Sequence, residues 1–341
     1  MDKVGSGAYI YAKASGILRE SFIGDRAHIL FEQKSLEEFW TLLFKTPVPL
    51  MPEVLLAQEI EKEAFLIFLD QYKSFINCYD KPSSVLIDQL YVYEIENLKE
   101  AADSLVNSQV IPPVFVDLGA FSKLNLTAWP DIAKITKDSD FSWYNHVPSI
   151  HEQQGMDFKL DLQLIRHLWA SINLEKGENK SVLLDMYKEE YVIKNIIWAL
   201  RLKIFYKMSD EQIISQLLYV SDSANLQDPI AGPAIKVLDF PLDDYEVWQK
   251  WTFRELVNPN LDGKIWQIDP SWIEQTNRSK LNKMALKAFH QYPMTVCSLI
   301  GWYKIKKYEL HCIKTAVESL RLNISSTEAM SAAGVHLQGG N

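Results

Sequence analysis

The sequence predicts an all-α protein, and three observations carry that prediction. Strand signals are weak, with little strict alternation and no Asn-Gly or Asp-Gly hairpin between apolar runs. Apolar residues recur at helical spacing, most clearly from Tyr187 to Ile213. Ser35 with Glu38, and Ser209 with Gln212, have the Ser-x-x-Glu/Gln spacing of a helix-starting capping box.

The stretch from Tyr187 is the one the chain is organised around. At about 100° per residue, Tyr187, Tyr191, Trp198, Leu202 and Phe205 share one face. Ile193, Ile197, Leu200 and Ile204 lie roughly opposite, with Lys194 and Arg201 in one polar strip and Glu190 and Lys203 in another. A helix apolar on two sides sits between neighbours in a bundle.

In chain order, residues 8–31 read as helical, with Gly16 and Gly24 allowing close approach or a break. A capped helix follows Ser35 and stops at Pro47, Pro49 and Pro52. The spacing then predicts helices over 53–79 and 85–107. The run from Val110 to Phe121 reads as a linker with an apolar insert, and residues 128–158, rich in Trp, Asp and Pro, as loops with short helices. Helices are expected over 160–170, 187–208, 244–257, 271–289, 293–322 and 326–333, with a second boundary at 221–233 and a frayed tail from Val335.

Length and composition bound the function. The chain of 341 residues, 48% hydrophobic and 23% charged, suits a soluble globular protein of one to three domains. A net charge of −9 disfavours nucleic acid and loose attachment to anionic lipid. Cys78, Cys297 and Cys312 are scattered and odd in number, which fits a reducing compartment. The N-terminus lacks the pattern of a signal peptide, and no apolar run approaches the ~20 residues that span a bilayer. A cytoplasmic protein is expected.

Three helices share a faint pattern: Tyr93-Glu94-Ile95-Glu96-Asn97, Tyr191-Val192-Ile193-Lys194-Asn195 and Tyr308-Glu309-Leu310-His311-Cys312. Cap-like runs follow the second and third at nearly the same offset, at Ser209 and Ser325. Self-similarity at this interval points to three related helical units. The stretch from Tyr9 to Phe22, with Ser35 to Phe44 after it, resembles the start of the C-type stalk proteins of V-type ATPases and ATP synthases, the family of the vacuolar d subunit. Glu94-Asn97-Leu98, the helix at Asn195 and Trp198, and the ending from Tyr308 and Glu309 resemble that family's three repeats. Cys312 departs from the pattern, as do Ile111-Pro112-Pro113 and residues 115–158.

The resemblance implies three similar helical-bundle domains, placed at 1–110, 111–222 and 223–341, in a pseudo-threefold funnel. It implies a non-catalytic central-stalk subunit, peripheral on the cytoplasmic face of the membrane, that joins the membrane rotor ring to the central shaft. No cofactor is implied. Lys194, Arg201, Lys203 and Lys207 are candidates for gripping an acidic partner, although a charged strip is ordinarily a solvated helix face. Aromatics at 91, 93, 187, 191 and 198 are ordinarily core rather than a stacking site.

Signals of catalysis are thin. Gly177-Glu-Asn-Lys-Ser181 lacks the second glycine of a phosphate-binding loop, and the histidines, His146, His151 and His336 among them, show no His-Glu-x-x-His. Asp239, Asp243 and Asp244 define the competing hypothesis, a metal-dependent helical enzyme. Their spacing does not place carboxylates on one helix face, and a helix N-terminus suits them better. A helical-repeat adaptor is the third possibility.

Overall fold

The computed structural model describes residues 3–261, 263 and 265–335, and every regular element among them is helical. The tail beyond Val335, with His336, lies outside those residues. Helix α1 (Lys3–Glu20) ends before Gly24, whose φ of +55° breaks the helix into a 3-10 stretch over Gly24–Phe31. Among the described residues nothing lies within 4 Å of where a Gly16 side chain would begin, so that glycine marks no close approach there. Ser35 starts α2 (Leu36–Leu43) by accepting the Glu38 N–H at 3.2 Å; the Glu38 carboxylate reaches back to the Lys34 amide instead of Ser35. After the proline run comes α3 (Glu53–Ile76).

The helix expected over 85–107 is divided into α4 (Ser84–Asp88) and α5 (Tyr91–Val106). The break has a use, because it leaves the Gln89 carbonyl free to accept a hydrogen bond from the Tyr303 hydroxyl at 3.3 Å. Asp131 caps α6 (Ile132–Thr136). Helix α7 (Ile150–Leu174) starts well before the expected 160, at a capping box of Ser149 and Glu152, so His151 lies in its first turn and not in a loop. Next come α8 (Gly177–Phe205) and α9 (Asp210–Ile214), the latter closed by the reciprocal Ser209–Gln212 box. The remaining elements are α10 (Gly232–Val237), α11 (Tyr245–Gln249), α12 (Pro270–Gln291), α13 (Val296–Arg321) and α14 (Ser326–Ala333). The helix expected over 244–257 is only α11 and a 3-10 turn at Arg254–Leu256.

The long helices fall into three successive pairs: α3 with α5, α7 with α8, and α12 with α13. The second helix of each pair packs on the first helix of the next, and the third pair closes back on the first: α5 on α7, α8 on α12, α13 on α3. All three contacts are antiparallel. Tyr91 stacks on His167 while Lys99 meets Asp161 at 2.8 Å. Arg201 meets Glu274 at 2.6 Å while Glu189 meets Lys280 at 2.5 Å. Phe75 packs edge-on to Trp302 while Lys314 lies 3.9 Å from Glu61. Thus the starts of α3, α7 and α12 and the ends of α5, α8 and α13 share one end of the molecule.

One core lies where the pairs converge, around Phe68, Tyr72, Tyr93, Tyr187 and Trp302. Three further cores lie toward the shared end. The first joins the start of α3 to the end of α13 (Phe39, Ile60, Val317), and so draws on both halves of the chain. The second joins α5 to α7 (Leu98, Phe141, Leu160), and the third joins α8 to α12 (Leu200, Trp248, Ile273). Each fully buried aromatic or large aliphatic side chain contributes about 1.5–3 kcal/mol. Gly301 lets α13 lie against α12, because a Cβ there would stand 2.7 Å from the Ala285 carbonyl oxygen.

Candidate functional site: a cationic cleft framed by repeated latches

The repeated motif proves to be a set of polar latches. Asn97 on α5 donates to the Val116 carbonyl at 2.8 Å and accepts the Val116 N–H at 2.7 Å. Asn195 on α8 does the same with Leu218, at 2.8 and 3.0 Å, and also donates to the Ile230 carbonyl at 3.1 Å. Each buried amide thus supplies hydrogen bonds that an irregular segment cannot make for itself. Glu94 accepts the Lys123 N–H at 3.0 Å, and Glu309 accepts the Phe22 N–H at 2.6 Å. Burial holds the Glu94 carboxyl above its ordinary pKa, against the hydrogen bonds and the Lys123 charge that lower it. Val192 stands at the corresponding place on α8. There Asp228 accepts the N–H groups of Val220 and Ser221 instead, both at 2.9 Å.

Cys312 departs from the pattern, and the third latch is built from Glu309 and Tyr308 instead. The segment gripped by Glu309 is the bend after α1, where the Phe22 N–H is bonded by the carboxylate and no side-chain amide from position 312 takes part. Tyr308 instead donates to the Gly334 carbonyl at 3.1 Å. Desolvation pushes the Cys312 and Cys297 thiols up to about 12, so both remain protonated.

Behind the latches lies a tyrosine hub. Tyr187 donates to the Gln89 side-chain oxygen at 2.5 Å, Tyr72 donates to the Leu86 carbonyl at 2.8 Å, and the Tyr93 and Tyr303 hydroxyls are 3.2 Å apart. Burial drives all four hydroxyl pKa values up, which keeps them neutral donors. Of the aromatics singled out in the sequence, Tyr91, Tyr93 and Tyr187 are core, and Tyr191 is half-buried. Trp198 is 41% exposed.

Trp198 is exposed because it borders a cleft of about 530 Å³ between α8, α12 and α13. Five cations line it, Lys194, Arg201, Arg278, Lys304 and Lys307, against the carboxylates of Glu190 and Glu274. Arg201 and Arg278 share Glu274, at 2.6 and 3.2 Å, and Lys304 pairs with Glu190 while lying 3.9 Å from the centre of the Tyr187 ring. Arg278 also donates to His311 Nε2 at 2.6 Å. Desolvation, with the Arg278 charge beside it, lowers His311 to about 4, so the imidazole stays neutral. Lys307 reaches solvent through the cleft yet has protein on most sides, and this desolvation lowers its pKa against the attraction of Glu96 and Glu190.

The structure divides the four candidate cations. Lys194 and Arg201 face this cleft. Lys203 turns away to Asp210, at 3.3 Å, and to the Leu238 carbonyl. Lys207 sits past the helix end with a φ of +53°. Arg278, Lys304, Lys307 and His311 gave no sequence signal, since they come from two other helices and meet α8 only in the fold. Asp244 accepts the N–H groups of Glu246 and Val247, at 3.1 and 3.2 Å, and so caps α11. Among the described residues no group of three His, Cys, Asp or Glu side chains is placed to hold a metal, and no helix is long and apolar enough to cross a membrane.

The family model described as ATP synthase (C/AC39) subunit matches residues 10–331. The chain is also similar to an uncharacterized protein of Treponema pallidum (strain Nichols), 25% identical over 321 residues that cover 94% of each chain. This chain belongs to the ATP synthase (C/AC39) subunit family.

Proposed function

We propose that the chain is a non-catalytic central-stalk subunit of a rotary V-type ATPase or ATP synthase, joining the central shaft to the membrane rotor ring. In this role the three units at 1–110, 111–222 and 223–341 form a pseudo-threefold funnel on the cytoplasmic face of the membrane. The observation that carries the reading is the cyclic closure of three antiparallel helix contacts, α5–α7, α8–α12 and α13–α3, around one aromatic core. A torque-transmitting collar needs that closure, because an open array would yield at its free edge. Exposed Leu50, Val110, Ile111, Ile150 and Ile265 lie beside the shared helix ends, which favours a partner surface there.

Affinity capture of the tagged chain from detergent-solubilised membranes tests the reading. Rotor-ring and shaft subunits are expected to come down together. Recovery of the chain without either, from cells that carry an assembled complex, would refute it. The competing metal-dependent enzyme loses its main support where Asp244 is used as a helix cap.

A further inference from the structure

The cleft between α8, α12 and α13 is a positive site on a chain of net charge −9. Three of its cations are already matched: Arg201 and Arg278 by Glu274, Lys304 by Glu190. Lys194 and Lys307 are not in contact with a carboxylate among the described residues, although Glu96 and Glu190 attract Lys307 from farther off. The Lys194 ammonium lies 5.6 Å from the Tyr191 ring centre, and that of Lys307 lies 5.4 Å from the Tyr93 ring centre and donates to the Tyr93 hydroxyl at 3.5 Å. Among the described residues no ion pair engages either one. A cation left over a ring in a concave site retains most of its attraction for a carboxylate.

A second feature points the same way. The space is larger than a small anion requires. A neighbouring cavity of about 850 Å³, between α7 and α8, shares Lys194 and Trp198 with the first. The exposed Trp198 ring therefore stands at the junction of two hollows, where it can anchor apolar side chains.

We infer that this cleft receives an acidic, amphipathic polypeptide segment, with its carboxylates on Lys194 and Lys307 and its apolar side on Trp198. Naming the occupant as the end of the central shaft rests on the coupling role proposed above; the recognition chemistry does not. His311 adds no charge near neutral pH, because it accepts from Arg278 instead of binding a proton. The groups facing it are Arg278 and Glu274 on α12, and Lys314 and Thr315 on its own helix. The positive charge of the cleft is therefore carried by its lysines and arginines and not by His311.

The test has two arms. In the first, fluorescent poly-L-glutamate is titrated against the full chain and against the double variant Lys194→Gln/Lys307→Gln. Lys203→Gln/Lys207→Gln serves as a control outside the cleft. The cleft variant is expected to bind at least tenfold more weakly at low salt, with the control within twofold, and added salt should erase the difference. Equal losses in the two variants, no binding by the parent chain, or equally effective displacement by inorganic pyrophosphate would each overturn the inference. In the second arm, both variants are tested for capture of the shaft subunits. If the parent chain and the cleft variant capture them equally, the shaft end as occupant is overturned while the coupling role stands. If poly-L-glutamate binds as expected and the parent chain captures no shaft subunit, the coupling role fails while the acid-binding cleft stands. Unfolding temperatures checked alongside separate lost binding from lost folding.

Discussion

Replacing Asn195 by Leu tests the latch most cleanly. The two side chains are nearly the same size, so no large cavity opens. Three backbone groups lose their partner: the Leu218 carbonyl and N–H and the Ile230 carbonyl. An orphaned buried polar group costs about 1–3 kcal/mol. Ile230 is fully buried and Leu218 half-buried, so the sum falls at about 3–5 kcal/mol. With about 2.1 cal/mol/K per residue of unfolding entropy, this chain should lose about 4–7 °C in Tm. Thermal unfolding followed by circular dichroism reads the shift. Hydrogen exchange should show faster loss of protection at the Leu218 amide than anywhere on α12. The exposed Asn173, which only bonds back to its own helix, provides the control as Asn173→Leu. If Asn195→Leu costs no more than that control, the repeated motif is not a latch and the account of the three units fails.

Three further perturbations follow from the same geometry. Tyr187→Phe removes one buried hydroxyl and strands the Gln89 side-chain oxygen, so urea unfolding should show a loss of about 1–3 kcal/mol, with no loss expected if the hub is only apolar packing. Because the folded-state pKa of His311 lies near 4, below its ordinary 6.5, the unfolded chain binds the extra proton between those values; stability should fall as pH drops from about 6.5 to 4, and His311→Gln should flatten that part of the profile. Partial solvent access keeps the effect to about 1–2 kcal/mol. Asp244→Ala should lower stability by about 1 kcal/mol through the lost cap and leave capture of partner subunits unchanged; loss of an activity on that substitution would revive the metal-enzyme alternative.

Much of the fold was legible because helices announce themselves locally. Ser209 with Gln212 marked a helix start to the residue, and the run from Ser326 to Ala333 was read at its true bounds. The helix divided at Gln89 was not legible, since nothing near Gln89 breaks a helix; its carbonyl is freed for Tyr303, more than two hundred residues away. The early start of α7 was missed because Trp- and Pro-rich sequence before it hid the Ser149–Glu152 box. The site was half visible. Lys194, Trp198 and Arg201 stood out on one helix, but a cation's role depends on what lies opposite. Periodicity could not show that Glu274 matches Arg201 while, among the described residues, no ion pair engages Lys194. The Asn97 and Asn195 pattern was visible as repetition, and only its hydrogen bonds explain why it repeats.

The central claim is mechanical coupling without chemistry, and ion transport by membrane vesicles carrying the assembled complex tests it most directly. Vesicles are stripped of this chain and then given it back, with ATP hydrolysis and ATP-driven ion uptake measured side by side. Stripped vesicles should lose ion uptake while the soluble head retains ATP hydrolysis, and the returned chain should restore uptake. Undiminished ion uptake without the chain would contradict the account.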